Sequence, residues 1–491
     1  MLRLATVDLK RDAVKTLFIP VCEDKAIHTD PVVSRLVEKA MTLEAFRGKK
    51  DQELVLHDLS EGPIENALFR GLGSAEKVSA DSLRQAAGRA AKRCIKMSVP
   101  RLWTAVPDAG ALGIDPAALL AALMEGVLLG NHIFDRYKKE RENKPLARAD
   151  FSVPADLARR FSQLPPRIEA TCRGTLLARE WVNTPSNDKP PVAFAREGAA
   201  AAKKSGLTAR VLLEAELRRR NFGALLAVAA GSRNRPALVV LEHKPRRSKE
   251  TVVLVGKGVT FDSGGINIKT GPSLGDMKCD MAGAAAVSAI LLSAAALKLD
   301  RRIVGVIPLV ENMVSGSATR PGDIVRSFSG KTVEIGNTDA EGRLILADAL
   351  AWAAATYAPR VMIDLATLTG ACVVALGEEI AGLFSRDEAL TAELLAAAER
   401  THERCWPMPL AEDYKELLKS SFADISNMPS AREGGAISAA LFLSEFVGST
   451  RWAHIDIAGP AYHKKESAIC GPGGTGFGVR LLLDWLMHAP V

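Results

Sequence analysis

Short apolar runs and apolar residues at helical spacing are mixed through the first 150 residues of the chain. The short runs predict strands at 16–21 and 96–106, the second of which is interrupted by Pro100. Alanine and leucine at helical spacing predict helices at 80–96 and 116–137. No cluster of His, Cys or carboxylate side chains stands out in this part of the sequence. We therefore interpret it as an α/β domain for assembly or regulation.

From residue 191 onward, strands and helices alternate regularly. Continuous apolar runs predict strands at 209–213, 237–242, 251–255, 303–310, 361–365 and 452–457. Helices are predicted at 191–205, 214–220, 281–297, 344–357, 389–405, 437–447 and 478–487. Apolar strands separated by helices are typical of a mostly parallel sheet covered on both faces. Such a sheet binds ligands beyond the carboxyl ends of its strands, which makes 257–262 and 366–370 candidate site segments.

The proline-rich segment 146–166 favours a connection between these two regions. A helix is predicted at 167–181, before the prolines of the sequence VNTPSNDKPP. At 491 residues, the chain also exceeds the roughly 250–300 residues at which one hydrophobic core usually stops growing. We therefore predict an α/β protein with a first domain at 1–150, a linker and connecting helix at 151–180, and a second domain at 181–491.

The composition is that of a soluble globular protein, with 47% hydrophobic and 25% charged residues. Charged residues interrupt the first 21 residues before the apolar segment of a signal peptide could form. No run approaches the ~20 apolar residues of a membrane-spanning helix. The sequence therefore predicts a cytoplasmic protein without a membrane partner.

The seven cysteines are scattered and odd in number, and they include no CxxC pair. This pattern favours reduced thiols over a disulfide framework or a zinc ribbon. Cys279 precedes Asp280 and could be a nucleophile or a metal ligand, but no His lies in its flanking sequence. We interpret Cys279 as a small packing residue.

The net charge is +7, and basic runs occur at 218–220, 244–249 and 138–144. Such runs are usually solvated faces or loop tips. They are not accompanied by a recognised nucleic-acid motif or by interleaved aromatic residues. A nucleic-acid partner therefore remains an alternative and not the main interpretation.

Two glycine-rich stretches, 255–283 and 336–350, contain an unusual number of charged residues for a core or for a surface loop. Their charged side chains include Lys257, Asp262, Lys269, Asp280, Asp339, Glu341 and Arg343. The four carboxylates would repel one another strongly if they converged without cations. Two divalent ions would balance them, as in two-metal aminopeptidases and phosphatases. Oxygen-rich ligation without His suits Zn, Mn or Mg, and the hard donors favour Mn and Mg.

The sequence NTDAEGR permits two local structures. In an extended strand, Asp339 and Glu341 would project to the same side. Alternatively, the segment is a turn that leads into a helix, with Asp339 as its N-cap and Glu341 in the first turn. The residues themselves leave both interpretations open.

Several motifs together resemble the leucyl aminopeptidase family, also called the cytosol aminopeptidase type. They are VNTPSN, GALLAVAAGS, VGKGVTFDSGG, DMKCDMAGAAAV, NTDAEGRL, DLATLTGA and WAHIDIAGPA, in the family's order. The resemblance covers about residue 178 to the C-terminus, and NTDAEGRL is close to diagnostic. It implies that 181–491 is a catalytic metallopeptidase domain. Residues 1–150 are compatible with the family's variable macro-like α/β domain.

The resemblance implies a role for each charged residue. Two ions would share Asp262 and Glu341, while Lys257 and Asp280 complete one site and Asp339 the other. Lys257 can ligate only as the neutral amine. Lys269 would stabilise the oxyanion, and Arg343 would hold a bicarbonate ion that serves as general base. Substrate-binding residues implied by the same matching are Lys269, Met277, Asn337, Thr367, Gly370, Ala458 and Ala461.

The implied activity is release of N-terminal Leu or other apolar residues from peptides with a free N-terminus. A metal-bridging water would attack the peptide carbonyl, so no covalent enzyme intermediate is needed. The family likeness also implies a homohexamer. Two alternatives stay open: another two-metal hydrolase, such as a phosphatase, and a DNA-binding or scaffolding protein.

Overall fold

The computed structural model describes residues 1–59, 63–140, 144–246, 248 and 250–490. It divides the chain into two compact units. Unit 1 comprises Met1–Cys172 and Lys465–Pro472, and unit 2 comprises Arg173–Lys464 and Gly473–Val491. Unit 1 thus includes residues 151–172, for which the sequence predicted a connecting segment. The predicted basic runs 138–144 and 244–249 lie partly outside the described residues.

Unit 1 is built on a six-stranded sheet. Its strands are β1 (Leu2–Ala5), β2 (Val14–Cys22), β3 (Glu53–Leu56), β4 (Ile64–Gly73), β5 (Arg101–Ala105) and β6 (Arg148–Ser152). The strand order is β1-β6-β5-β2-β4-β3, and every neighbouring pair is parallel except β3 with β4. The helices that begin in this unit are α1 (Pro31–Thr42), α2 (Ala80–Lys96), α3 (Ala109–Leu112), α4 (Pro116–Gly130), α5 (Ala155–Arg160) and α6 (Leu164–Asn183).

The structure confirms the helix predicted at 80–96 and corrects the bounds of the strand predicted at 96–106 and of the helix predicted at 116–137. The strand predicted at 96–106 begins only at Arg101, because α2 extends to Lys96. Helix α4 ends at Gly130, and the side chain of Asn131 then bonds both the N–H and the carbonyl of Leu146. The proline-rich connection contains β6, a paired strand of the sheet.

Unit 2 contains a nine-stranded sheet and two small ones. Its strands are β7 (Thr208–Leu213), β8 (Ala237–His243), β9 (Thr251–Gly256), β10 (Gly258–Asp262), β11 (Arg302–Asn312), β12 (Ile324–Arg326), β13 (Thr332–Glu334), β14 (Val361–Ala366), β15 (Ala381–Ser385), β16 (Cys405–Pro407), β17 (Ile425–Ser426), β18 (Arg451–Asp456), β19 (Tyr462–His463) and β20 (Gly473–Gly474). The large sheet has the order β16-β15-β18-β14-β9-β11-β8-β7, and β10 pairs with β11. Its centre, from β18 to β11, is parallel, whereas β7, β8 and β15 add antiparallel pairs. The predicted mostly parallel sheet is confirmed.

Helices cover both faces of this sheet, as the apolar strands predicted. They are α7 (Pro191–Lys204), α8 (Glu214–Arg219), α9 (Gly223–Ala229), α10 (Ala282–Ala296), α11 (Glu341–Tyr357), α12 (Gly370–Leu376), α13 (Glu388–Thr401), α14 (Gly435–Ser444) and α15 (Val479–His488). Along β9, Val252 and Leu254 pack into one hydrophobic core, and Val253 and Val255 pack into the other. Alternate side chains of a central strand are therefore buried on opposite faces.

Contrary to the expectation from the sequence, the helical stretch Pro272–Ala296, which includes α10, is long and apolar enough to cross a membrane by length and composition. Its most apolar window is 83% buried inside the protein, and α10 packs on β9, β11 and β14. This stretch is therefore a core helix. It is the one stretch of that kind among the residues that the structure describes.

Candidate active site

The candidate site lies at the carboxyl edge of the parallel strands, where the sequence predicted it. Lys257 directly follows β9, and Asp262 is the last residue of β10. The backbone N–H of Lys257 donates to the carbonyl of Leu365 in β14, at 3.0 Å. Helix α11 begins at this edge with Glu341. Segments far apart in the sequence thus meet because their strands are neighbours in one sheet.

Three buried carboxylates converge at this edge. Asp262, Asp280 and Glu341 each offer an oxygen, and these oxygens lie within 4.8 Å of one another. The Nζ atom of Lys257 is 2.7 Å from both Asp280 Oδ1 and Glu341 Oε1. Within the described part of the chain, Asp280 Oδ2 and Glu341 Oε2 are buried and have no hydrogen-bond partner. Such oxygens fit a cation, because unpaired buried carboxylate oxygens are costly.

The fourth carboxylate reaches this cluster through a second lysine. Lys269 Nζ lies 2.9 Å from Asp262 Oδ2 and 2.5 Å from Asp339 Oδ1. Asp339 is partly exposed and is not one of the three carboxylates that converge. The structure therefore brings all four predicted carboxylates and both lysines into one connected group.

Burial and charge act in opposite directions on these groups. Burial alone would lower the pKa of Lys257, but Asp280, Glu341 and Asp262 raise it overall. Burial raises the pKa of Asp280 well above its usual value and that of Asp339 to about 6. Lys257 is therefore an ammonium ion in this arrangement. A metal ion that takes Lys257 as a ligand must displace that proton.

The structure of the loop before α11 shows which of the two local structures, an extended strand or a turn into a helix, the sequence NTDAEGR adopts. Helix α11 begins at Glu341, so the extended interpretation is wrong. Its N-cap residue is Ala340 and makes no side-chain cap, so Asp339 is not the N-cap either. The N–H of Asp339 instead donates to Asn337 Oδ1 at 2.7 Å. Glu341 does lie in the first turn, near the positive end of the helix dipole.

Arg343 is buried in the same helical turn as Glu341. Its Nη1 donates to the carbonyl of Asn427 at 2.8 Å. Burial lowers the pKa of Arg343 to about 10, against the opposing effects of Glu341 and Asp456. A buried guanidinium with several N–H donors is suited to bind a small planar anion.

Asn427 holds the loop in place, and the sequence did not single it out. Its Oδ1 accepts from the N–H groups of Gly336 and Asn337, at 2.8 and 3.3 Å. Its Nδ2 donates to the carbonyl of Asn337 at 2.8 Å. The side chain of Asn427 therefore fixes the loop, and its backbone carbonyl fixes Arg343. No sequence signal marks it, since it is about 90 residues from its partners.

Asn312 is a second functional side chain that sequence reasoning missed. Its Nδ2 donates to Asp262 Oδ1 at 2.8 Å and to the carbonyl of Thr338 at 3.0 Å. Gly265, with φ of +63°, approaches Asn312 so closely that a Cβ would lie 2.9 Å from its Oδ1. Asn312 ends the apolar strand β11, and that position at a carboxyl end was the signal that could have identified it.

The predicted substrate-binding residues occupy different environments. Thr367 lies in the site, since its Oγ1 donates to Asp280 Oδ1 at 2.8 Å and its carbonyl accepts from Lys257 at 2.9 Å. Gly370 is exposed at the start of α12, and a Cβ there would meet nothing within 4 Å. Met277 and Ala458 are half-buried. Ala461 is only 2% exposed and packs in a hydrophobic core.

The cysteines agree with the packing interpretation. All seven are buried, and none of them forms a disulfide. Burial, with the nearby charge of Asp280, raises the pKa of Cys279 to about 12, so its thiol stays protonated near neutrality. A protonated buried thiol is a poor nucleophile.

Lys189 is another buried lysine that the motifs did not explain. Its Nζ donates to the carbonyls of Trp181, Val182 and Lys278, at 2.8, 3.0 and 2.8 Å. Burial lowers its pKa to about 7. The side chain thereby ties the end of α6 to the segment that precedes the site residue Asp280.

Comparisons with known proteins cover nearly the whole chain. The profile of the cytosol aminopeptidase family, catalytic domain, matches residues 176–483, and that of the family's N-terminal domain matches 22–141. A probable cytosol aminopeptidase of Syntrophotalea carbinolica is 42% identical over 93% of this chain and 92% of its own. One of Geotalea uraniireducens is 44% identical over 90% of this chain and 89% of its own.

Two solved structures are similar in fold and sequence. The bottromycin maturation enzyme BotP in complex with Mn has a TM-score of 0.84 and 36% identity, covering 96% of this chain and 99% of its own. A mutant of tomato leucine aminopeptidase has a TM-score of 0.87 and 32% identity, covering 99% of this chain and 96% of its own.

Proposed function

The chain belongs to the cytosol aminopeptidase family and is a metal-dependent exopeptidase, and we propose that it releases apolar residues, Leu among them, from peptide N-termini. The family suggested by the sequence motifs, and its two-domain architecture, are confirmed. The observation that carries the proposal is the buried cluster of Asp262, Asp280 and Glu341 around Lys257. Such a cluster needs cations, and a peptidase of this type uses them.

Two divalent ions, Mn, Zn or Mg, are the proposed cofactor. Asp262 and Glu341 would contact both ions, Lys257 and Asp280 one, and Asp339 the other. When bound, the ions supply Lewis acidity to a water molecule and to the substrate carbonyl. The unpartnered oxygens of Asp280 and Glu341 support this assignment.

Two cations of the chain would act on the reacting peptide. Lys269 is held by Asp262 and Asp339, and its partners raise its pKa, so that it presents an ammonium group at neutral pH. That group would donate to the carbonyl oxygen as negative charge develops on it. Arg343, buried and anchored by Asn427, would hold bicarbonate as the base that accepts a proton.

The first residue of the substrate would lie among small and apolar side chains. We assign this pocket to Met277, Asn337, Thr367, Gly370, Ala458 and Ala461. Because these side chains are mostly small and apolar, the pocket should favour Leu or Met over charged residues as the N-terminal residue of the substrate. A free α-amine would select N-termini by binding at the carboxylate cluster.

A paired assay tests this function. Purified protein is supplied with Mn²⁺ and given a leucine anilide or a phosphate ester, before and after chelation. We expect hydrolysis of the anilide that stops on chelation and returns when Mn²⁺ is restored. Hydrolysis of the ester alone would refute the peptidase and favour a phosphatase.

The alternatives are less well supported by the site. A phosphatase would need several cations around the phosphate, whereas the proposed site provides only Lys269 and Arg343 for that task besides the ligand Lys257. A DNA-binding role would use the basic run 218–220, but its arginines pair with Glu214 and Glu216 on the same helix.

The oligomeric state and the cellular location of the protein are also proposed. We propose a homohexamer that acts in the cytoplasm, where reduced cysteines are the rule. The seven buried cysteines, none of which forms a disulfide, support a reducing compartment. Sedimentation of the purified protein at several concentrations measures the oligomeric state.

A further inference from the structure

Two segments that carry the proposed pocket residues leave neighbouring strands. One follows β14 and bears Thr367 and Gly370, and the other follows β18 and bears Ala458. The two strands are parallel, and Ala366 is paired with Asp456 in their register. The N–H of Ile457 donates to the carbonyl of Ala366 at 2.8 Å, directly after the last paired residues of the two strands.

Asp456 joins the two segments where they separate. Its side chain is fully buried. Its Oδ1 accepts from the N–H groups of Leu368 and Ala458, both at 3.1 Å. Its Oδ2 accepts from the hydroxyl of Thr369 at 2.8 Å. One carboxylate therefore binds both walls of the proposed pocket.

The bond to Thr369 extends this connection into α12. Thr369 is the N-cap of α12, and its Oγ1 accepts from the N–H of Cys372 at 3.0 Å. Gly370 is the first residue of that helix. Asp456 thus fixes the start of α12 as well as the loop before it.

A carboxylate is the side chain that this position requires. Three donors converge on it, and a carboxylate has two acceptor oxygens where an amide has one. A buried carboxylate is costly without compensation. Burial raises the pKa of Asp456, and the charge of His454 on the same strand and the three donors oppose that rise.

We propose that Asp456 is a positioning residue that sets the width of the pocket for the first side chain, and thereby the choice among N-terminal residues. It acts by holding Thr367 and Gly370 at a fixed distance from Ala458. This inference rests on the proposed function and concerns its selectivity. Asp456 itself, being fully buried, does not touch the substrate.

The test compares Asp456→Ala and Asp456→Asn with Asp484→Asn, a buried carboxylate of α15 that pairs with Arg400. The Mn²⁺-loaded proteins are given leucine and alanine anilides, and kcat/KM is measured for each. We expect the ratio of Leu to Ala hydrolysis to fall about ten-fold in Asp456→Ala, and less in Asp456→Asn, which keeps one acceptor oxygen. Asp484→Asn should leave the ratio unchanged. Because a ratio cancels effects common to both substrates, a disturbed Arg343 or metal site would not mimic this result.

Hydrogen exchange of the backbone amides at 367–372 and 458 gives a readout that does not depend on activity. We expect faster exchange there in Asp456→Ala than in the wild type, and no change in Asp484→Asn. Unchanged exchange, or an unchanged Leu to Ala ratio, in Asp456→Ala would overturn the proposal. A wild type that hydrolyses neither anilide would refute the proposed function, and the exchange measurement would still decide whether Asp456 holds the two segments.

If Asp456→Ala does not fold, a pair of variants at Thr369 tests the same proposal. Thr369→Val removes the hydroxyl that binds Asp456 and keeps the side-chain volume. Thr369→Ser restores the hydroxyl. We expect the Leu to Ala ratio to fall in Thr369→Val and to recover in Thr369→Ser, whereas equal ratios in both variants would contradict the proposal.

Discussion

Two lysines in one site differ in burial and in partners. The side chain of Lys257 is 3% exposed and contacts Asp280, Glu341 and the carbonyl of Thr367. The side chain of Lys269 is 19% exposed and contacts Asp262 and Asp339. The more buried lysine lies between carboxylates that would hold metal, and the more exposed one can reach a substrate. This difference supports the proposal that Lys257 is a metal ligand and that Lys269 is an electrophile.

Replacement of Lys269 separates these roles. Lys269→Ala should leave the metal content unchanged and lower kcat by about 10²–10³, because it removes a donor to the developing oxyanion. Metal analysis and steady-state kinetics on the same preparation check both expectations. Loss of metal in this variant would show that the assigned role is wrong.

The carboxylates should behave differently from Lys269. Glu341→Gln or Asp339→Asn should abolish hydrolysis of the leucine anilide and reduce bound Mn²⁺, since an amide is a much weaker ligand than a carboxylate. Asp484→Asn is the control, because it also removes a buried charge from unit 2. Full activity with normal metal content in Glu341→Gln would exclude Glu341 as a ligand.

At the scale of the element, α11 carries two residues of the proposed active site and one structural side chain. Its first turn presents Glu341 and Arg343, and two turns later it presents Asp348. The oxygens of Asp348 accept from the backbone N–H groups of Leu225 and Phe328, at 2.9 and 2.7 Å. Asp348 is fully buried, so it fixes α9 and the segment at 328 against α11.

Asp348→Ala should destabilise unit 2 strongly. It removes the acceptor of the buried N–H of Leu225 and of the partly buried N–H of Phe328, at up to about 1–3 kcal/mol each. The free energy of unfolding from denaturant titration should therefore fall by several kcal/mol. A loss below about 1 kcal/mol would mean that water replaces the carboxylate.

Asp348 also predicts a pH dependence of stability. Burial raises its pKa from 3.8 to about 7. Because the folded state holds the proton more tightly, the stabilisation that comes from the neutral form is present below about pH 4 and is lost as the pH rises to 7. The stability of the wild type relative to Asp348→Asn should therefore decrease over this range, by at most about 4 kcal/mol. Denaturant titrations of both proteins at several pH values measure it, and a constant difference would contradict the assignment.

At the scale of the whole molecule, metal binding should couple to folding. The proposed ligands come from segments separated by up to 84 positions, from Lys257 to Glu341, and they meet only in the folded chain. A metal ion at 100 times its Kd would add about 2.7 kcal/mol of stability. Mn²⁺ should therefore raise the Tm in calorimetry, and a chelator should reverse the rise. Glu341→Gln should show a smaller shift, and an equal shift in both proteins would place the bound metal elsewhere.

Much of the large sheet of unit 2 could be predicted, because its core strands are long and apolar. The predicted strands at 251–255, 303–310, 361–365 and 452–457 all correspond to strands of that sheet. Short elements escaped prediction. Strand β17, with two residues, is too short to show a hydrophobic period, and α12, with the sequence GACVVAL, has no polar position from which a helical period could be recognised.

The sequence alone determined the order of the main elements, the glycine-rich segments with their four carboxylates, and, through its motifs, the family. The tertiary structure decided how these residues are held. Asn427, Asn312 and Asp456 each bind backbone or side chains that lie far away along the chain. It also decided that Glu341 begins a helix, where the local sequence allowed a strand as well. The physical reason is that a hydrogen bond depends on where two groups lie in space, and strand pairing sets that position for residues that local patterns leave unconnected.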